Sequence, residues 1–132
     1  MSGSDYAKRR LSHDNYQTDE WLMDLFEDWF DPCPLIDGDE LIRNGLHLPW
    51  SVWGDKVFVN PPYSKPLPWV KKAIEEKQLE PDMTIVMLLK HDSSTEWYRL
   101  LAEAGAHFLM VNGRLKHRTG KGVAFPSLLV VL

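Results

Sequence analysis

A chain of 132 residues, 44% hydrophobic and 26% charged, has the length and composition of one ordinary globular domain, which excludes a fibrous or disordered protein. The net charge of −4 excludes a protein that coats nucleic acid non-specifically, because such binding rests on many Lys and Arg neutralising phosphates. Cys33 is the single cysteine, which excludes an internal disulfide and a cysteine-rich metal cluster, and no apolar run reaches membrane-spanning length.

Residues 1–14 are polar, carry Lys8, Arg9 and Arg10, and lack the apolar middle of a secretory signal. The expectation is a disordered leading segment, a single domain over 15–132, and a cytoplasmic location. Thr18 is a good helix N-cap, with Asp19 and Glu20 complementing the dipole of the first turn. Trp21, Leu22, Leu25, Phe26 and Trp29 then recur on one face of a helix running to about Trp29. Phe30-Asp31-Pro32-Cys33-Pro34 forces the chain out of helix, since each proline fixes its own φ and disfavours helical geometry before it.

Gly38, Gly45, Pro49 and Gly54 break up 35–55, which reads as irregular chain with one short helical turn. Lys56-Val57-Phe58-Val59 is a strand, ended by the two prolines of Asn60-Pro61-Pro62-Tyr63-Ser64. Trp69, Val70, Ala73 and Ile74 give the next helix an apolar face, and Lys71, Lys72, Glu75 and Glu76 a polar one. Thr84 to Leu89 is a buried strand. Ser93 and Glu96 form a capping box for a helix with Trp97, Leu100, Leu101 and Ala104 on its core face, which Gly105 can end. Ala106 to Val111 is a strand, Asn112 to Gly122 a glycine-rich basic loop, and Ser127 to Leu132 the last strand. Strands alternating with helices predict an α/β fold with a mostly parallel sheet and helices on both faces. Such sheets bind ligands beyond the carboxyl ends of their strands, where the Asp31 and Asn60 segments are both expected to lie.

The Asn60 segment has the parts needed to methylate a planar amine. The nitrogen lone pair of an adenine-type amine is delocalised into its ring and must be made available. An Asn oxygen and the carbonyl of the following proline can accept the two amine hydrogens, and the diproline holds both acceptors at low entropic cost. Tyr63 supplies a ring on which an extruded base can stack. The catalytic candidates are therefore Asn60, Pro61, Pro62 and Tyr63, with no covalent enzyme intermediate required. Cys33 reads as a packed or cleft-lining residue, because no histidine stands at a telling spacing. The five His are scattered and no metal site is expected. Trp21, Trp29, Trp69 and Trp97 fall on apolar helix faces and read as core, whereas Trp50 and Trp53, in irregular chain, remain candidates for lining a site.

Phe30 to Pro34, Val57 to Ser64, Trp69 to Ala73, Val86 to Leu89, Gly113 to Lys116 and Phe125 to Val131 together resemble the phage-type DNA N6-adenine methyltransferase family, which shares its catalytic motif with the wider Dam-like class. The resemblance covers about 17–132. It implies a minimal Rossmann-like methyltransferase fold, S-adenosylmethionine as methyl donor, adenine in DNA as acceptor, and action in the cytoplasm of a host cell. On the donor side it implies Thr18, Asp31, Pro32 and Cys33. The usual glycine-rich donor loop is absent, and 34–56 is too short for two strand-helix units, so a partner such as a second copy of the chain is a candidate to complete the cleft. Arg114, Lys116, His117, Arg118 and Lys121 concentrate basic character in an acidic protein, and Arg114, Lys116, Arg118 and Lys121 are expected to hold DNA phosphates. The same loop also suits an RNA base or a protein glutamine as acceptor. A catalytically silent nucleic-acid-binding module is the reading from outside enzymology.

Overall fold

The computed structural model describes residues 20–33, 45–62, 64–115 and 125–132. The expected leading segment 1–14 and the cap Thr18 lie outside the described residues. In chain order the elements are helix α1 (Glu20–Leu25), a 3-10 turn (Trp50–Val52), strand β1 (Lys56–Val59), helix α2 (Leu67–Leu79), strand β2 (Thr84–Lys90), helix α3 (Glu96–Glu103), and strands β3 (His107–Leu115) and β4 (Phe125–Val131).

The period-2 alternation of strand side chains explains how these elements layer. Val57, Val59, Ile85, Met87, Leu89, Leu128 and Val130 turn to one face of the sheet, where Val70 and Ala73 of α2 and Trp97 and Leu101 of α3 meet them. Phe58, Val86, Leu88, Leu129 and Val131 turn to the other face, against Leu22 and Met23 of α1 and the following Phe26 and Trp29. Both faces are covered, which is why β1 and β2 are almost uninterruptedly apolar. Helices therefore lie on both sides, as expected.

The expectation of a mostly parallel sheet is corrected. The order is β1-β2-β4-β3, and only β1 and β2 pair in parallel; β4 is antiparallel to both β2 and β3. The reason is loop length. A parallel connection needs a crossover of a dozen or more residues, which α2 provides between β1 and β2, whereas only 116–124 separate β3 from β4. The chain must return as a reversed strand. β1, β2 and β3 nevertheless point the same way, so their carboxyl ends share one end of the sheet. On the open edge of β1, the Phe30 amide donates to the Lys56 carbonyl at 3.0 Å and the Phe58 amide donates to the Phe30 carbonyl at 2.9 Å. This parallel bridge leads Asp31 to Cys33 along the carboxyl-terminal half of β1.

Several boundaries move for local reasons. α1 stops at Leu25, so the long apolar stripe expected up to Trp29 is split by a turn; Leu22 and Met23 reach the sheet, while Trp21 is left 54% exposed. Ser93 does not cap α3. Thr95 does, its hydroxyl accepting from the Tyr98 amide at 3.3 Å while donating to the Asp92 carbonyl at 2.9 Å. Gly105, at φ 81°, ends that helix in the left-handed region as expected. β3 runs on through Asn112 and Gly113 rather than breaking there. A bulge accommodates them, since β3 advances from Met110 to Arg114 while β4 goes only from Leu128 to Pro126. Trp50, one of the two candidates for lining a site, is fully buried core. The polar face expected for α2 also fails at Glu76, whose side chain is buried.

Candidate active site

β1 carries the chain from the buried residues Val57 to Val59 straight into Asn60, which is itself 4% exposed. Pro61 is buried and Pro62 half-buried. The Pro62 carbonyl accepts from the Lys65 amide at 3.1 Å, closing a tight turn. Pro66 caps α2, and a proline in its first turn removes a donor that would have no helical partner. The loop is thus held by its prolines at one end of a strand buried on both faces.

The loop after β2 forms the facing wall. The His91 amide donates to the Pro126 carbonyl at 2.8 Å, fixing the strand's end to β4. Asp92 Oδ1 accepts from the Ser94 hydroxyl at 2.5 Å and the Ser94 amide at 3.1 Å. These two bonds, the hydroxyl's first, hold the Asp92 carboxyl below the usual carboxylate range. Ser64 and Pro66 from the first loop, with Leu89, Lys90, Asp92, Thr95 and Trp97 from the second, line a cavity of about 280 Å³. It opens where ligands bind in sheets of this kind, beyond the carboxyl ends of adjacent parallel strands.

The third segment at this end is Asp31 to Cys33. Asp31 Oδ1 accepts from the Cys33 amide at 2.9 Å, which fixes the carboxylate to its own turn, and Pro32 and Cys33 are buried. The packing of Cys33 in the main core agrees with its reading as a packed residue. Arg114 lies on β3 opposite Pro126, at the same end of the sheet, but past the strand boundary expected for it. Tyr63, Lys116, Arg118 and Lys121 lie outside the described residues. Asn60, the diproline, the Asp31 turn and the backbone of Arg114 are therefore gathered at one end. The second wall, Lys90 to Thr95, was missed as a unit; its signal is a turn-forming Asp-Ser-Ser run directly after a buried strand.

Residues 41–123, more than half of the chain, match the model of the family described as DNA N-6-adenine-methyltransferase (Dam). The chain belongs to this family. The match takes in the Asn60 loop, α2, β2, α3 and β3, so it covers both walls of the cavity. A DNA N-6-adenine-methyltransferase of Haemophilus phage HP1 is 31% identical over 102 residues, covering 68% of this chain and 57% of the relative. One of Escherichia phage T1 is 42% identical over 65 residues, covering 48% of this chain and 26% of the relative. The chain thus spans a little over half of the first relative and about a quarter of the second in these matches. No solved structure matches it. In this member of the Dam family, no helix among the described residues is long and apolar enough to cross a membrane.

Proposed function

We propose that this chain transfers a methyl group from S-adenosylmethionine to the N6 amine of adenine in DNA. The observation that carries the reading is a buried Asn60 followed by two prolines at the carboxyl end of β1, in a chain of the Dam family. Asn60 Oδ1 and the Pro61 carbonyl accept the two amine hydrogens as the nitrogen becomes pyramidal, which exposes its lone pair. The base enters between the Asn60 loop and the Lys90–Thr95 loop. We take the mixed sheet, three strands running one way with β4 reversed among them, as a reduced Rossmann-like methyltransferase sheet.

The residues fit a methyl donor at the Asp31 turn: a carboxylate fixed by the Cys33 amide suits an ammonium or a ribose hydroxyl. When bound there, S-adenosylmethionine supplies an electrophilic methyl on a sulfonium. Asp31 orients that molecule, and the buried Pro32 and Cys33 keep water from its inner side. Incubation with donor labelled in its methyl group and with duplex DNA, followed by nucleoside analysis, tests the reading. Label in N6-methyl-2′-deoxyadenosine from the DNA is expected, and a protein that binds DNA but neither binds nor consumes the donor would establish the silent module instead.

Tyr63 is expected to stack on the extruded base. Tyr63→Ala should then weaken turnover and DNA binding by about 1 to 3 kcal/mol, whereas Tyr63→Phe and Tyr63→Trp should lose little, since stacking needs a ring and not a hydroxyl. Equal loss in all three, accompanied by a lowered melting temperature, would mark a packed residue. For Arg114, Lys116, Arg118 and Lys121 the expected role is phosphate contact. Each substitution by Ala should flatten the slope of log affinity against log salt by about 0.9 on duplex DNA. Coincident slopes for wild type and variants would show that these side chains do not reach the backbone.

A further inference from the structure

Glu76 follows the buried Val70 and Ala73 at three-residue intervals on α2, and although it is a carboxylate it is 2% exposed. A buried carboxyl costs free energy unless it is paired, and a leucine would fill the same space without that cost. Its partners show what the position provides instead. Glu76 Oε1 accepts from the backbone amide of Trp50, 26 residues earlier in the chain, and lies 3.6 Å from Lys72 Nζ. The Trp50 indole, fully buried, donates from Nε1 to the Gly45 carbonyl at 2.8 Å. Gly45 in turn sits directly against Pro32: a Cβ at this position would come 2.1 Å from the Pro32 oxygen and 2.6 Å from the Pro32 Cβ. A continuous line of contacts therefore runs from α2 through Trp50 and Gly45 to Pro32. One end is the Asp31–Cys33 turn; the other, Glu76, stands nine residues past Leu67, roughly 13 Å along the rigid helix whose first turn follows the Asn60 loop.

We propose that Glu76 and Trp50 are positioning residues for the donor side of the site, fixing the Asp31–Cys33 turn relative to Asn60 through Gly45. The inference rests on the assignment of that turn to the methyl donor. Neither residue touches the reacting atoms. Glu76 makes the registration directional, since a carboxyl accepting one particular amide sets the height of Trp50 along α2 in a way apolar packing does not.

Cys33, the only cysteine of the chain, is buried next to Pro32 and reports the position of the turn whether or not a donor binds. The experiment measures Cys33 modification by an aromatic disulfide reagent in the full chain, beside calorimetric affinities for S-adenosylmethionine and for duplex DNA. Gly45→Ala drives a Cβ against Pro32 with the Trp50 and Glu76 side chains unaltered, and Trp50→Phe removes the indole donor. Both should speed modification about tenfold through easier local opening. Both should weaken donor binding by about tenfold, the order of one net hydrogen bond, with DNA affinity kept within about twofold. Glu76→Gln keeps an acceptor for the Trp50 amide and should stay close to wild type on all three measures, whereas Glu76→Ala should not. If Trp50→Phe fails to fold, Gly45→Ala and the Glu76 pair still decide the question. Unchanged Cys33 reactivity in folded variants, or donor and DNA affinities falling together, would overturn the proposal. Absence of donor binding by wild type would instead remove the donor assignment and with it the functional half of the inference, leaving Cys33 reactivity to decide whether the contacts hold the turn.

Discussion

Asn60→Ala is expected to lower the rate of methyl transfer by about 10²- to 10³-fold, the usual consequence of deleting one preorganised hydrogen-bonding group from a transition state. At 4% exposure the side chain is in the protein interior, so the substitution also touches stability. Loss of a buried polar partner costs about 1 to 3 kcal/mol, a shift visible in melting temperature but small beside the loss in rate. Asn60→Asp separates the two effects. It keeps the shape of the side chain and two acceptor oxygens, and should retain more turnover than Asn60→Ala even where its stability is no better. The measurement is kcat at saturating donor and DNA, taken with a thermal melt of each variant. A folded Asn60→Ala protein turning over near the wild-type rate would remove Asn60 from the chemistry.

What was legible beforehand followed from local physics. Val57 to Val59 is a short apolar run ended by two prolines, so β1 and the loop on its carboxyl end could be located by residue type alone. Gly105 closes α3 for an equally local reason, a left-handed backbone that a glycine adopts without strain. The direction of β4 was not legible, because the strands expected at 106–111 and 127–132 leave about fifteen positions between them, enough for a crossover. Only the extension of β3 to Leu115 and the start of β4 at Phe125 cut the connection to 116–124, too short for a crossover helix.

What was not legible depends on contacts distant in sequence. Trp50 stands in chain without periodicity, and its burial depends on Glu76, 26 positions away, accepting its amide. Glu76 in turn looks like one more charge on the polar face of a helix until Trp50 is placed against it. The cap of α3 was missed for a different reason. Ser93 with Glu96 satisfies the capping-box pattern, but Ser94 is committed to Asp92, and it is the Thr95 hydroxyl, held by its own bond to the Asp92 carbonyl, that accepts from the Tyr98 amide. In both cases side chains serve the arrangement of loops rather than the regularity of an element.

The second large effect is expected on stability alone. Phe58 is 2% exposed and points to the face of β1 opposite Val57 and Val59, where its ring stacks on Phe26 at 4.3 Å with the planes 8° apart. Phe26 meets Trp29 edge-on at 5.1 Å, so this pair joins the chain after α1 to the sheet. Phe58→Ala should cost about 3 to 5 kcal/mol, from lost burial, the cavity left behind and the broken aromatic pair. Set against the 5 to 15 kcal/mol typical of whole domains, that is a large share, and it corresponds to a melting temperature lower by about 10 to 20 °C. Phe58→Leu, which keeps most of the apolar volume, should lose much less. Phe58 contacts the α1 layer, so turnover per folded molecule, measured well below the variant's melting temperature, should remain near wild type. Asn60→Ala and Phe58→Ala, only two positions apart on one strand, are thus expected to fail in opposite ways, one keeping its fold without its rate and the other its rate without its fold. A Phe58→Ala protein that melts near wild type would mean that α1 does not pack on this face of the sheet in solution.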